Sequence, residues 1–253
     1  MIPSKSSEKR IADEREFHDE IFSSQARRSV GKFYSINEAI EAAYDREIFD
    51  SPMNKTVLEY GCGMGTKLID LDKLGARTYG IDISEYAIHE LRQLALKKSS
   101  KATYQVMNAE DLQFDDRTFD IIYGSGILHH LDLAKAFETI GKKLKDTGKA
   151  VFIEPLGHNP LINGFRKKTP TIRTEDEHPL LMNDLKDAGK FFGRITVKYY
   201  YLSTLALPLI FGHRSPSLLI KTFNGIDRLI FGLIPVLRKH AWQVLIKLEA
   251  PRV

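Results

Sequence analysis

The sequence predicts an α/β fold with a doubly wound, seven-stranded sheet that is mostly parallel. Two observations carry this prediction. The apolar run 57–60 has the character of a buried strand and leads directly into a glycine-rich turn. Four further strand patterns, at 76–82, 103–107, the run ending at 123, and 149–154, then alternate with helical patterns. Such alternation favours parallel strands joined by crossover helices.

The glycine-rich turn indicates a ligand site. Gly61, Gly63 and Gly65 leave the backbone bare where the strand gives way to a helix, and the N–H groups of such a turn can face a ligand. Thr66 does not fit the dinucleotide pattern G-x-G-x-x-G, and the phosphate-binding P-loop pattern is also absent from the sequence. Glu59 would repel a pyrophosphate and attract an ammonium or sulfonium group. A cationic ligand is therefore expected.

The pattern E-x-G-x-G-x-G closely resembles motif I of the class I S-adenosylmethionine-dependent methyltransferases. The resemblance implies a Rossmann-like core, S-adenosyl-L-methionine as cofactor and S-adenosyl-L-homocysteine as product. It also implies that the glycine loop passes under the methionine part of the cofactor. Cys62 lies inside this loop, and we interpret it as a small apolar filler in preference to a reactive thiol.

Two later strand ends extend the predicted cofactor site. Asp82 ends the second strand seventeen residues after Gly65, close to the offset of about 20 residues at which an acid binds a ribose in nucleotide folds. With Ile83 it resembles the family's second motif. Asn108, Ala109 and Glu110 follow the third strand, where the resemblance implies the adenine pocket. Whether Glu110 or Asp111 accepts from the adenine amine stays open.

The fourth strand is followed by candidate catalytic residues. The segment 119–131 resembles motif IV, F-D-x-I-x-x-x-x-x-L-H-H-L, whose loop borders cofactor and acceptor, and Ser125 is included among the cofactor residues on this basis. His129 and His130 can serve as a base or a substrate ligand, or one of them can pack and cap structure. Glu154 and His158 lie at or just past the end of the fifth strand, where a substrate-facing base is expected.

The segment 1–54 is predicted to form a helical leader that covers the cofactor. Phe17, His18, Phe33 and Tyr34 are candidate lid residues, with packing against the sheet as the alternative. A capping box at 35–38 is predicted to begin the second helix.

No metal site is predicted. His158, Asp176, Glu177 and His178 contain potential ligands, but they lack a repeated ligand spacing such as H-x-x-x-H. We predict a hydrogen-bonded loop instead.

Composition and charge suggest how the chain is organised. Its 253 residues predict one methyltransferase domain, divided into the leader 1–54, a cofactor-binding core 55–155 and substrate-side elements 156–253. A single cysteine and the absence of a signal-peptide pattern favour a cytoplasmic protein. Residues 190–253 hold ten Lys and Arg against two Asp and Glu, a balance of +8. These basic residues alternate with Leu, Ile and Phe, which argues against nucleic acid as a partner.

The C-terminal part is predicted to add strands at 194–201 and 241–249, ending in an antiparallel pair, with a helical insertion before the last strand. The apolar runs within 205–237 are too short to span a bilayer. They suit a lid over a hydrophobic substrate, a homodimer contact or a peripheral membrane contact.

The predicted function is methyl transfer from S-adenosylmethionine to a small, hydrophobic or lipid-like acceptor, by O-, N- or C-methylation. The alternatives are a non-catalytic cofactor-binding scaffold and an NAD-type oxidoreductase.

Overall fold

A computed structural model describes residues 7–24, 33, 35–169, 174 and 177–253. Its seven strands form one sheet in the order β3-β2-β1-β4-β5-β7-β6. The strands are β1 Thr56–Tyr60, β2 Arg77–Asp82, β3 Thr103–Val106, β4 Phe119–Ser125, β5 Leu144–Pro155, β6 Phe192–Tyr200 and β7 Gln243–Pro251. Strands β1 to β5 pair in parallel, and β7 runs antiparallel to both β5 and β6. The predicted α/β fold, with its antiparallel final strand, is confirmed.

The helices lie in the connections between these strands and before the first. They are α1 Ser7–Ser24, α2 Glu38–Ile48, α3 Lys67–Lys73, α4 Glu85–Lys97, α5 Leu133–Lys143, α6 Pro160–Lys168, α7 Met182–Asp187, α8 Ala206–Phe211 and α9 Ser217–Leu233. Short 3₁₀ turns occupy Leu128–His130, Ala188–Lys190, Ser203–Leu205, Gly212–Arg214 and Pro235–His240.

Both faces of the sheet are covered, which explains why β1 is apolar along most of its length. Neighbouring residues of a strand point to opposite faces, and Val57 and Leu58 accordingly belong to two different core clusters. Val57 packs in the cluster that includes residues of α2, α3 and α4, whereas Leu58 packs in the cluster that includes residues of α5. A sheet buried in this way presents its ligand site at the strand ends, because its faces are occupied.

Several predicted details differ from the structure. The predicted helix 180–192 is shorter, comprising α7 and a 3₁₀ turn, and the predicted turn at 145–148 lies within β5. The segment after β4 forms a single 3₁₀ turn before α5. The predicted capping box at 35–38 differs as well, because the N-cap residue of α2 is Asn37 and its side chain makes no capping hydrogen bond. The division of the chain at residues 55 and 155 stays a prediction.

The insertion between β6 and β7 is fastened by a buried carboxylate. Asp227 on α9 is 2% exposed and accepts bonds from the backbone N–H groups of Leu202, Ser203 and Thr204 at 2.9, 2.8 and 3.3 Å. The Ser203 and Thr204 hydroxyls also donate to it, both at 2.6 Å. This one side chain therefore holds the turn after β6 against α9.

We expect Asp227→Ala to lower the free energy of unfolding by about 2–4 kcal/mol, because several buried donors lose a charged acceptor. Denaturant titration of the full chain measures this. Asp70→Ala is the matched control, since Asp70 is exposed and ion-paired with Lys73 on the surface of α3, and such pairs contribute about 0–1 kcal/mol. Equal losses in both variants would contradict the assigned role of Asp227.

Candidate functional site

A cavity of about 240 Å³ opens at the carboxyl ends of β1, β2 and β4. Its wall comes from the glycine loop, the ends of β2 and β3, the turn after β4 and one side of α1. The lining residues are Arg10, Ile11, Glu14, His18, Phe22, Gly61, Cys62, Gly63, Met64, Ile81, Asp82, Ile83, Met107, Asn108, Ala109, Glu110, Ser125, Gly126, Ile127, His130 and Leu131. Parallel strands bring these distant segments to one edge of the sheet.

The glycine loop requires its glycines for three different reasons. Gly61 has φ +74°, and a Cβ there would lie 2.8 Å from the Ile127 side chain. Gly63 has φ +46°, and its Cβ would lie 3.2 Å from the ring of Phe22. A Cβ on Gly65 would meet the Glu59 carboxylate at 2.8 Å. The first two glycines line the cavity, whereas the third makes room for Glu59 behind the loop.

Asp82 connects the glycine loop to the second strand. Its Oδ2 accepts from the Gly63 N–H at 2.7 Å and its Oδ1 from the Ser84 N–H at 2.9 Å. The carboxylate lies on the cavity wall and is 9% exposed. A carboxylate oxygen can accept more than one hydrogen bond. Asp82 can therefore accept from a pair of ligand hydroxyls while it holds the loop.

Glu59 lies behind the glycine loop and does not line the cavity. Burial raises the pKa of Glu59 to about 8, against the lowering influence of the Tyr123 hydroxyl and of Lys67. At neutral pH the ligand-free protein therefore keeps this carboxyl largely protonated. A cation bound on the other side of the loop would favour its ionised form.

The adenine end of the predicted site is shaped by Glu110 and Arg10. Glu110 lines the cavity, whereas Asp111 is exposed and does not. The Glu110 carboxylate forms an ion pair with Arg10 of α1 and accepts from the Asp132 N–H at 2.8 Å. Arg10 also donates to the backbone carbonyl of His130 at 2.9 Å. The leader helix therefore contacts the residues predicted to bind adenine.

The predicted catalytic residues divide into three groups. His129 Nδ1 lies 2.7 Å from Glu154 Oε2, and Glu154 Oε1 accepts from the Ile127 and Leu128 N–H groups at 2.9 and 2.8 Å. This buried pair orders the turn after β4 behind the cavity wall. His130, in contrast, lines the cavity.

His158 is not brought to the site. Its Nε2 accepts from the Met182 N–H at 3.3 Å, and its carbonyl oxygen lies 3.1 Å from His240 Nδ1. It therefore holds together segments that lie apart from the cavity, and it is not among the cavity-lining residues.

Of the four candidate lid residues, His18 faces the cavity and Phe33 lies in the core. His18 lines the cavity and stacks on Phe22 with ring centroids 5.6 Å apart. Phe33 is 2% exposed and packs against Phe165 and Trp242, which agrees with the packing alternative.

The other two candidate lid residues are Phe17 and Tyr34. Phe17 does not line the cavity, and Tyr34 lies outside the described residues. Of the four potential ligands for which no metal site was predicted, Asp176 also lies outside the described residues.

Sequence reasoning missed the other cavity residues of α1, above all Glu14. Its Oε2 lies 3.3 Å from His130 Nδ1 and 3.4 Å from His18 Nε2. Burial acts to raise its pKa, but the two histidines outweigh burial and hold the pKa of Glu14 well below its ordinary value. The spacing of Glu14 and His18, four residues apart on one helix face, was the available signal.

The chemistry of the cavity fits S-adenosylmethionine. Asp82 offers two carboxylate oxygens at the position predicted for the ribose, and Ile83 and Met107 offer apolar side chains near the predicted adenine position. The bare backbone at Gly61 and Gly63 leaves room that a side chain would fill. Of the eleven predicted cofactor residues, nine line the cavity, and the two exceptions are Glu59 and Gly65.

Comparison with known proteins gives the same fold. Residues 58–152 match the family model described as "Methyltransferase domain". In sequence, the chain is 34% identical over 113 residues to a ubiquinone biosynthesis O-methyltransferase of Hydrogenovibrio crunogenus, covering 44% of this chain and 46% of that one. The chain spans about half the length, or less, of the first curated relatives that it matches.

Two solved structures share the fold at low sequence identity. Phosphoethanolamine N-methyltransferase 2 of Haemonchus contortus, in complex with phosphomonomethylethanolamine and S-adenosylhomocysteine, has a TM-score of 0.63 at 18% identity, covering 92% of this chain and 60% of that one. Geranyl diphosphate C-methyltransferase of Streptomyces coelicolor A3(2) has a TM-score of 0.54 at 14% identity, covering 83% and 79%. Residues 58–152 thus match a methyltransferase domain, and the seven-stranded sheet has the fold of solved methyltransferases.

Proposed function

We propose that the chain transfers the methyl group of S-adenosylmethionine to a small, hydrophobic or lipid-like acceptor. The observation that carries the cofactor part is the cavity in which Asp82 joins the glycine loop to the end of β2. Thr66, where a dinucleotide loop has glycine or alanine, disfavours an NAD-type oxidoreductase.

Methyl transfer needs orientation and exclusion of water more than it needs a specialised catalytic group. When bound, S-adenosylmethionine would supply an electrophilic methyl group for transfer to the acceptor atom, with S-adenosylhomocysteine as the leaving group. The chain's own contribution is to hold the two reactants in line and to cover them with α1. Of the predicted catalytic residues only His130 lines the cavity, so we assign contact with the acceptor to His130 together with Glu14 and His18.

The acceptor class is inferred from the segment 205–237. Its inner side chains Leu205, Leu207, Ile220 and Phe231 are buried, so the segment belongs to the core and cannot be removed as a simple lid. Its outer side carries exposed apolar residues. They are Leu209, Ile210, Phe211, Leu218, Ile226, Leu229, Leu233, Ile234 and Val236. We call this set the apolar surface.

The charges around the apolar surface favour an anionic membrane over a second copy of the chain. Arg214, Lys221 and Arg228 are exposed within the segment, and its one acid, Asp227, is buried and held by hydrogen bonds. Apolar side chains ringed by basic ones are typical of proteins that rest on an anionic membrane surface. A dimer through the same surface would place like charges near each other. Across the described residues, none of the helices combines the length and the apolar character that crossing a bilayer demands.

The first prediction concerns the ribose ligand. We expect Asp82→Ala to weaken S-adenosylmethionine binding by about 1–3 kcal/mol, because ligand hydroxyls and the Gly63 N–H lose their acceptor. Calorimetric titration measures the affinity, and circular dichroism checks folding. Asp115→Ala is the control, since Asp115 is exposed and does not line the cavity. A folded Asp82→Ala protein with unchanged affinity would exclude the ribose role.

The second prediction concerns pH. Because the pKa of Glu59 is raised to about 8, the ionised carboxylate that attracts a cation becomes populated as pH rises through that value. We expect affinity for S-adenosylmethionine, measured relative to Glu59→Gln, to increase between about pH 6 and about pH 9. Stability of the ligand-free protein should change in the opposite direction. The raised pKa of Glu59 contributes stability to the folded state that is fully present below pH 4.5, the pKa of this carboxyl in the unfolded chain. This contribution is lost as pH rises through about 8, the pKa in the folded protein.

Titration of the cofactor's own groups and of the other residues affects the wild type and Glu59→Gln alike. The difference between their pH profiles therefore reports the titration of Glu59. Calorimetry at each pH, with S-adenosylhomocysteine in parallel, shows whether the positive sulfur matters. Identical pH profiles for the wild type and Glu59→Gln would mean that Glu59 has only a structural role behind the glycine loop.

The third prediction tests the function itself. Phosphatidylcholine vesicles, with or without phosphatidylglycerol, are loaded with a cellular lipid extract and incubated with the protein and cofactor labelled in the methyl group. We expect label in the lipid phase and sedimentation of the protein with the anionic vesicles. The double variant Leu229→Ser, Leu233→Ser should reduce both the lipid label and the sedimentation. Each leucine removed loses the free energy of burying its apolar surface in the membrane, roughly 25 cal/mol per Å².

Leu96→Ser is the matched control, because Leu96 is an exposed leucine on α4, away from the apolar surface. Light scattering reports whether the Leu229→Ser, Leu233→Ser protein is smaller than the wild type. Dissociation of a dimer would identify the apolar surface as a subunit interface instead of a membrane contact. Label recovered only in water-soluble products would refute a lipid-like acceptor, and the absence of any labelled product would favour a non-catalytic scaffold.

A further inference from the structure

We propose that Glu14, His18 and His130 form a binding site for one divalent transition-metal ion, with zinc as the reference ion, on the acceptor side of the cofactor cavity. The ligand-capable atoms of these three side chains all lie within 4.8 Å of one another. All three residues line the cavity. Binding of the ion does not depend on methyl transfer, so the two proposals can fail separately.

The interatomic distances suit coordination better than hydrogen bonding. Glu14 Oε2 lies 3.3 Å from His130 Nδ1 and 3.4 Å from His18 Nε2. Two ligands of a tetrahedral ion, with bonds of about 2.0–2.1 Å, lie about 3.3–3.4 Å apart. The carboxylate oxygen is therefore spaced from each ring nitrogen as two ligands of one ion are, and the two ring nitrogens lie within 4.8 Å of each other.

Buried atoms without hydrogen bonds support the same interpretation. Glu14 Oε2 and His130 Nδ1 are buried and make no hydrogen bond within the described part of the chain. The Glu14 and His130 side chains are each 7% exposed. Leaving such groups unpaired costs about 1–3 kcal/mol each, and a shared cation would satisfy both.

The surroundings orient the ligands. The Thr174 hydroxyl donates to Glu14 Oε1 at 2.6 Å, which leaves Oε2 directed at the histidines. Arg10 donates to the carbonyl of His130 and fixes its backbone. His18 and Glu14 are four residues apart on α1 and so share one helix face. Such supporting bonds are typical of metal sites.

A neighbouring cluster is less suited to a metal. His129, His130 and Glu177 also lie close together, but Glu177 Oε1, which lies 3.7 Å from His129 Nε2, is ion-paired with Arg166 at 2.7 Å. The Glu14 cluster keeps its ligand atoms available to an ion.

The ligand set favours a transition metal over Mg²⁺. Two imidazoles and one carboxylate suit zinc, iron or manganese, whereas Mg²⁺ prefers oxygen ligands and water. Three protein ligands leave at least one coordination position open, as in catalytic zinc sites. That position would face the cavity, where an acceptor oxygen can bind the ion and lose its proton more readily.

The test is metal retention by the full chain. Protein stripped with a chelator is dialysed against ZnCl₂ or MgCl₂, and the retained metal is measured by elemental analysis. We expect about one equivalent of zinc and no retained magnesium. Glu14→Gln and His18→Ala should each weaken zinc binding at least about 100-fold, because loss of even an outer-shell partner costs about 10–100-fold. Cobalt added in place of zinc should give visible absorption bands in the wild type that both variants lack.

His89→Ala is the matched control, since His89 is an exposed histidine on α4 outside the cluster, and it should bind zinc as the wild type does. Circular dichroism confirms that the near-isosteric Glu14→Gln protein is folded. Wild-type protein that retains no stoichiometric zinc, or zinc binding unchanged in both cluster variants, would overturn the proposal and leave the cluster as a contact between a carboxylate and two imidazole rings.

Discussion

The Asp82 carboxylate is the interaction on which the rest of the site depends. Its two oxygens bind the N–H groups of Gly63 and Ser84, and so join the loop after β1 to the start of α4. Ser84 in turn caps α4 through the Ala87 N–H and bonds to Asp19 of α1. A single acid therefore fixes the position of the glycine loop, a core helix and, through Ser84, the leader helix.

The architecture could be predicted because its determinants are local. Glycines directly after an apolar run, and strand patterns alternating with helical ones, are readable within short windows. The details that differ depend on longer-range packing. The segment 145–148 has a turn composition, but it lies in β5, which pairs with both β4 and β7. The importance of Asp227 was also invisible, because its partners at 202–204 lie more than twenty residues away along the chain.

The candidate site was predictable where a motif places residues on strand ends and unpredictable where α1 supplies them. Nothing in the sequence around Arg10 indicates that it pairs with Glu110, one hundred residues later. Conversely, the histidine pair after β4 was conspicuous, but its two members have separate roles. His129 pairs with Glu154 behind the wall, while His130 faces the cavity. A one-residue step within a 3₁₀ turn points the two rings differently, and the sequence alone does not indicate which ring faces inward.

Helix α1 contacts both the predicted cofactor residues and the proposed acceptor residues, and this has a consequence for cofactor exchange. The same helix places Phe22 over the glycine loop, Arg10 against Glu110, and Glu14 and His18 beside His130. Under the proposed function, a movement of α1 that uncovers the cofactor also takes apart the wall proposed to meet the acceptor. Under the proposed function, exchange of cofactor and release of product are thus coupled through the position of this one helix.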